Sequence, residues 1–499
     1  MFKNLIKAMC AVLCVVLLIF SSACSNKKEE GSGDTTRLKM ILVGDKPVIF
    51  DEIWGKVNEM LKEDLNATVQ IEYISYSNMN QKYSLLFTGD DKFDLVFSAS
   101  WLDYIGNASK NSYMEITDDM LKNYAPKTYA SINEQALNDA KVNGKVYMVP
   151  NTADEYSTTV VMIRGDLRKK HNLDPLETLD DFYGYLKTLA DEEAEIVPYV
   201  DLSFGSLLWR DYANGFSYVT TGLESSEITF DPRSERFVGP VFDQPYVDVV
   251  DITRKMVDDG ILPKDIVANK QVGSMFEQGK AGSYLHNLET TAAKKRALMD
   301  AHPEWDLEIY DFSQGVPKVV NSYTANGISL NRNTANIEKA LGFLDLLRND
   351  ERYFNLTWYG IEGKHWERVG ENGYTLLDGQ LDQNEKYQPG CVWGWKNGDM
   401  LLDDANDTPE RKEIFTRWQG ETIPNPISGF TPDTSAIKNE MAAMTNVGQQ
   451  YGAPLFTGMI EKNNIPEAIE VYRNQTKQAG YENVISALQN QYEKFLTEK

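Results

Sequence analysis

Between Leu38 and Phe97 the chain alternates two hydrophobic periods in a fixed order, and no other feature restricts its fold so tightly. Leu38 to Val43 is a short apolar run. From Pro47 to Leu65, the residues Ile53, Val57, Met60, Leu61 and Leu65 recur at helical spacing and share one face. Thr68 to Ile74 alternates instead, with Val69, Ile71 and Tyr73 on one side and Gln70 and Glu72 on the other. Asn78 to Phe87 returns to the helical period, and Phe93 to Phe97 is an apolar run of strand length. A helix that links two strands carries the chain back along the sheet, so this order predicts parallel strands with right-handed crossovers. The fold class is α/β.

The pattern resumes further on. Lys145 to Val149 and Thr158 to Ile163 read as strands around Pro150-Asn151. Thr178 to Leu189 reads as a helix, with Thr178 and Asp181 at capping-box spacing and Leu179, Phe182, Leu186 and Leu189 on one face. Glu195 to Val200, Ser283 to Leu285, Trp305 to Tyr310 and Gly327 to Leu330 read as short strands, and Asn336 to Leu347 as a helix. The C-terminal stretch is richer in Pro, Gly, Trp and Asn. It ends in a helix striped by Val484, Leu488, Tyr492 and Phe495.

The first residues direct export. Lys3 and Lys7 precede an apolar run from Ala8 to Phe20, and the small residues Ser21, Ser22 and Ala23 follow. Cys24 directly after them resembles a bacterial lipobox, in which the sulfur is lipidated and becomes the new N-terminus. The same start also fits an ordinary secretory signal or an uncleaved anchor. Residues 1–23 are read as the signal peptide and 24–36 as the lipidated cysteine with a flexible tether. That tether is too polar to bury a core. Two or three acyl chains on Cys24 would hold the protein stably on the outer face of the cell membrane, where one would hold it only marginally. Cys10 and Cys14 leave with the signal, so a lipidated Cys24 leaves Cys391 without a disulfide partner.

Charge narrows the partners. With 50 basic and 74 acidic residues the formal charge is −24, which repels nucleic acid and anionic lipid. Catalytic motifs are missing. The four histidines form no H-E-x-x-H, and no G-x-S-x-G occurs. G-S-M-F-E-Q-G-K-A at 273–281 has five residues between its glycines where a phosphate loop has four, and Ala281 offers no hydroxyl. No cofactor and no metal site is expected. Aromatic residues stand out instead: nine Trp, 26 Tyr and 20 Phe, several in polar, loop-like contexts. A sugar ring presents apolar C–H groups to an aromatic face and needs polar side chains around its rim. Trp101 and Tyr104 follow an apolar strand at its C-terminal end, the end at which open α/β sheets bind ligands. Trp209-Arg210 lies in a loop after a strand; Trp358, Tyr359, His365 and Trp366 cluster around Gly360 and Gly363, beside Glu362; and Trp393 and Trp395 flank Gly394. Asp103, Glu155 and Asn397 supply polar neighbours.

Three stretches carry a family resemblance. V-N-G-K-V-Y-M-V-P-N at 142–151 leads into T-V-V-M-I-R-G-D-L and H-N-L-D-P-L-E-T-L-D-D-F; V-G-S-M-F-E-Q-G-K-A-G-S-Y-L-H-N spans 272–287, and N-G-I-S-L-N spans 326–331. Together they resemble extracellular solute-binding proteins of the carbohydrate class. W-Y-G-I-E-G-K-H-W-E at 358–367 and N-P-I-S-G-F-T-P-D at 425–433 resemble the C-terminal extension of a lipoprotein subgroup, a domain of unknown function. The resemblance implies a two-lobed, periplasmic-binding-protein-like fold with hinged lobes and a ligand cleft between them. It implies a monomer that is not an enzyme and delivers a solute, most simply an oligosaccharide, to ABC permease subunits. One lobe is expected at 37–150 plus 280–349, the other at 151–279 plus 350–499, with crossings near Pro150, Ser283 and Ser329. Expected ligand contacts are Trp101, Tyr104, Glu155, Tyr156, Trp209, Arg210, His286, Asn287, Glu362, His365, Trp366, Trp393 and Trp395. A surface enzyme acting on glycans and a static carbohydrate-binding adhesin are the competing readings.

Overall fold

Two sheets carry the architecture of the computed structural model. Their strands are, in chain order, β1 Thr36–Val43, β2 Ala67–Ile74, β3 Leu95–Ser98, β4 Val149–Pro150, β5 Thr159–Ile163, β6 Ser283–Asn287, β7 Glu308–Tyr310 and β8 Gly327–Leu330. The described residues are 35–498, apart from 88–91, 157, 202–207, 210–214, 220, 222, 224–226, 265–273, 378–380 and 382–383. The export signal, Cys24, most of the tether and Arg210 therefore lie outside the described residues.

The first sheet has the order β2-β1-β3-β8-β4. β1 runs parallel to β2 and β3, and the helices Phe50–Leu65 and Met79–Leu86 make the connections, as the alternating periods predict. Ile53, Trp54, Val57 and Leu61 form the buried stripe of the first helix. β8 returns antiparallel to both β3 and β4. The second sheet, β6-β5-β7, is antiparallel. β5 is buried along its whole length, and the helix Leu179–Glu192 adds Phe182, Tyr185, Leu186 and Leu189 to this core. Its capping box between Thr178 and Asp181 forms as the spacing indicates.

Three expected strands differ. Of Trp305 to Tyr310 only Glu308–Tyr310 is strand, because Trp305 closes a 3-10 turn and Asp306 takes a left-handed φ of 48°. Lys145 to Val149 breaks in two: Lys145–Val146 pairs with Lys141–Val142 around Asn143-Gly144, both at positive φ, and only Val149–Pro150 joins the first sheet. An Asn-Gly pair with both φ positive is the preferred tight hairpin turn. In Glu195 to Val200, only Val197 forms a bridge, to Ala281. Pro198 has no amide hydrogen to extend that ladder.

Each sheet has its own apolar core. β6, β7 and the helix Leu288–Ala301 belong with the second core, whereas Tyr353, Cys391, Val392 and Trp395 belong with the first. The sequence-based division places 280–349 with the first lobe and the chain after 350 with the second; the cores differ from it at 280–320 and at about 350–402, and agree with it at 327–349 and from about 414 onward. The chain passes between the cores at 151–158, at 320–326, and between Leu402 and Ile414. Ser283 lies inside the second sheet, so it marks no crossing, and the crossing expected at Ser329 falls just before β8. The C-terminal helices, including Tyr481–Glu498, pack with Phe230, Phe237 and Tyr246 and so extend the second side. Among the described residues no helix is long and apolar enough to cross a membrane.

Candidate functional site

The passages between the cores are tied to one another by polar contacts. Glu155 Oε1 accepts from Lys396 Nζ at 3.0 Å and Oε2 from Asn326 Nδ2 at 3.0 Å. The Glu155 carbonyl accepts from Asn321 N at 2.9 Å. Asp154 Oδ1 accepts from Tyr323 O–H at 2.9 Å. These bonds hold the first and second passages side by side, and Lys396 joins them from the 391–400 segment.

Trp101 stands beside this junction. It lies in the turn Ser100–Leu102 after β3, and 47% of its surface is exposed. Its Nε1 donates to the Ala325 carbonyl at 2.8 Å, so its edge is fixed to the second passage. An indole whose one donor is engaged offers a ligand its π faces. Phe97 lies beneath it at 5.6 Å between ring centroids, and the half-buried Trp393 lies 6.4 Å from Phe97 on another side. Gly394 makes this arrangement possible. A Cβ there would stand 2.9 Å from Ile328 Cδ1 and 3.0 Å from Phe97 Cδ2.

The first passage leads into the start of β5. Thr159 is in register with Asn287, and Val160 with His286, so the end of β6 sits where the first passage enters the second core. His286 is half-buried and stacks on Tyr284 at 6.1 Å. Burial lowers its pKa below the ordinary 6.5, which keeps the ring neutral at pH 7. Asn287 Oδ1 caps the helix Leu288–Ala301 through Thr290 N at 2.9 Å. Tyr156 shares a hydrogen bond with Thr422 at 2.9 Å and packs edge-on against Phe415 and Trp418. Sequence reasoning missed Asn326, Lys396 and Phe415. Asn326 opens the quoted N-G-I-S-L-N stretch and Lys396 follows V-W-G-W, so their positions beside those motifs were the available signal.

Five expected contact residues are packing groups. Tyr104 is 1% exposed, donates to the Ala140 carbonyl at 2.5 Å and accepts from Tyr147 N. Trp209 stacks on Phe182 at 6.2 Å inside the second core. Trp395 lies edge-on to Trp54 and donates to Thr357 Oγ1 at 3.3 Å. Trp366 is 1% exposed among Phe354 and Tyr359 and donates to the Gly360 carbonyl at 3.0 Å. His365 Nδ1 accepts from Ile361 N at 2.8 Å. Gly360 has φ of 86°, and a Cβ there would meet His365 Nδ1 at 2.7 Å. The polar setting of these aromatics thus reflects a tight turn, on which Glu362 is exposed. Among the described residues no group of three or more His, Cys, Asp or Glu could hold a metal ion.

Residues 49–352 match the family model described as bacterial extracellular solute-binding protein, and residues 426–497 match a domain of unknown function, DUF3502. The chain is 26% identical to a carbohydrate ABC transporter substrate-binding protein of Streptococcus pneumoniae serotype 4, over 97% of each. It is 21% identical to lipoprotein LipO of Bacillus subtilis, over 83% of this chain and 84% of that one. Among solved structures, the N-glycan transport solute-binding protein NgtS of Streptococcus pneumoniae superposes with a TM-score of 0.75 at 23% identity, covering 93% of this chain and 99% of that one. The alginate-binding protein AlgQ2 gives 0.68 at 17% identity, with the same coverage. The fold is therefore the two-lobed fold of these binding proteins.

Proposed function

Because the chain belongs to the bacterial extracellular solute-binding protein family, we propose that it captures an oligosaccharide between its lobes and delivers it unaltered to the permease of an ABC importer. The observation that carries this reading is Trp101: an indole nearly half exposed, with its N–H engaged, beside the passages that join the two cores. Trp393 is the second candidate platform. Glu155, Tyr156, His286 and Asn287 are the candidate polar rim, and Glu362 a more distant one.

The first lobe comprises 35–150 and about 327–402, and the second comprises 156–320 and about 414–498, a division that follows the two cores. Hinge motion acts in the passages between them. Ligand touches both lobes only in the closed form, so binding shifts the population toward closure. A micromolar ligand supplies about 8 kcal/mol, more than such an equilibrium requires. A lipid on Cys24 keeps the protein beside its importer.

The relatives favour oligosaccharides: NgtS has been crystallised with Man5GlcNAc, and AlgQ2 is named for alginate. The formal charge of −24 disfavours a polyanion such as alginate and favours a neutral sugar. Calorimetry against neutral and acidic oligosaccharides tests this. Saturable 1:1 binding of a neutral sugar, recovered intact, supports the proposal. Cleavage products would replace it with a glycan-acting enzyme.

A further inference from the structure

Asp139 ends the short helix Glu134–Asp139 on the first core and is 8% exposed. Each of its carboxylate oxygens serves a different segment. Oδ1 accepts from Ser428 Oγ at 2.5 Å and from Gly429 N at 2.8 Å, at the start of the domain of unknown function. Oδ2 accepts from Ser322 Oγ and Tyr323 N, both at 3.0 Å, in the second passage. The 425–431 loop itself belongs to the opposite side. Ile427 lies in the C-terminal core, and Phe430 packs on Tyr492 at 5.4 Å and on Phe237 at 5.7 Å. Gln135 Nε2 to Ser428 Oγ at 3.0 Å and Thr431 Oγ1 to the Lys141 carbonyl at 2.6 Å reinforce the junction.

Two short routes lead from this carboxylate to Trp101. Ser322 and Tyr323 begin the turn Tyr323–Ala325, and the Ala325 carbonyl receives the Trp101 N–H. Ala140, the next residue after Asp139, receives the hydroxyl of Tyr104, whose helix follows directly on the Trp101 turn. We infer that Asp139 is a positioning residue for solute binding: it couples docking of the C-terminal domain to the orientation of the Trp101 indole. The domain of unknown function is thereby a brace for the binding platform. This inference rests on the proposed role of Trp101.

Asp139→Ala removes all four bonds. Asp139→Asn keeps one acceptor oxygen and so spares one side. Ser428→Ala removes a donor from the C-terminal side alone. In the ligand-free protein, Asp139→Ala raises amide exchange by about tenfold or more in both 320–326 and 425–431, since each loses bonds to a carboxylate. With Man5GlcNAc as probe, Asp139→Ala raises Kd about tenfold and Ser428→Ala raises it less, while in a Trp101→Ala background Asp139→Ala changes Kd less than about twofold. Should Asp139→Ala fail to fold, Ser428→Ala takes its place: it touches only the C-terminal side, so the coupling predicts raised exchange in 320–326 as well as in 425–431, and a rise in Kd that the Trp101→Ala background removes. Unchanged exchange in either segment, or additive effects on Kd, overturns the coupling and leaves the platform intact. A Trp101→Ala protein that binds like wild type overturns the platform, and the coupling to it falls as well.

Discussion

Trp101 and Trp366 look alike in the sequence, each in a polar, loop-like context, yet alanine at the two positions should produce opposite phenotypes. Trp366 is 1% exposed, so its truncation removes nearly a whole indole from the core of Phe354 and Tyr359. An indole buries about 150–250 Å², worth about 4–6 kcal/mol at about 25 cal/mol per Å². Measured Trp→Ala losses of about 3–5 kcal/mol agree, and the bond to the Gly360 carbonyl adds about 1 kcal/mol. Trp101 already has 47% of its surface in water, so its loss costs about 2–3 kcal/mol of burial, about half the figure for Trp366, with a similar hydrogen-bond term for its bond to the Ala325 carbonyl. Its effect belongs to binding: loss of aromatic stacking costs about 1–3 kcal/mol by analogy with stacked bases, roughly a 5- to 150-fold rise in Kd. Urea denaturation followed by circular dichroism reads the first quantity, and calorimetry with the bound sugar reads the second. Trp366→Ala should shift the midpoint strongly and, at temperatures where it remains folded, bind normally. The reasoning fails if Trp366→Ala keeps its midpoint but loses affinity, or if Trp101→Ala unfolds early and binds as before.

Arg348 is fully buried, its three guanidinium nitrogens have no hydrogen-bond partner among the described residues, and burial pushes its pKa down to about 10. Arg348→Met should therefore leave stability unchanged or raise it by about 1–4 kcal/mol in urea denaturation, and a loss of several kcal/mol would contradict this. Burial likewise holds His365 below its ordinary pKa of 6.5. The folded state then binds fewer protons than the unfolded one, so stability falls as pH drops from about 6.5 toward the folded value. His365→Asn keeps an acceptor for Ile361 N but does not titrate, so the Tm of this variant should lose that component of the acid slope. Gly394→Ala forces a methyl against Ile328 and Phe97 and should lower Tm and disturb the Trp393 platform together; a silent substitution would contradict the packing.

Local periodicity made much of the fold legible. The strands and helices from Thr36 to Ser98 follow the two hydrophobic periods, and the Thr178–Asp181 box marks its helix start within a residue. What the periods do not encode is pairing between distant segments. Ser283–Asn287 looks like any short strand, and only its register against Thr159–Ile163 assigns it to the second core. The same limit applies to the site. Trp101 and Trp366 differ in burial because of what packs on them from far along the chain. Glu155 gains its meaning from Lys396 and Asn326, 241 and 171 residues away. The Gly360–His365 turn carried a readable sign, closely spaced glycines around a histidine, but a ligand contact and a turn-forming acceptor call for the same residue types.

Small-angle scattering of the full mature protein, alone and saturated with a neutral oligosaccharide, tests most directly whether two lobes close on a sugar. The account predicts that the radius of gyration falls on saturation and returns when the intact sugar is dialysed away. Superimposable profiles with and without a tightly bound sugar would contradict it.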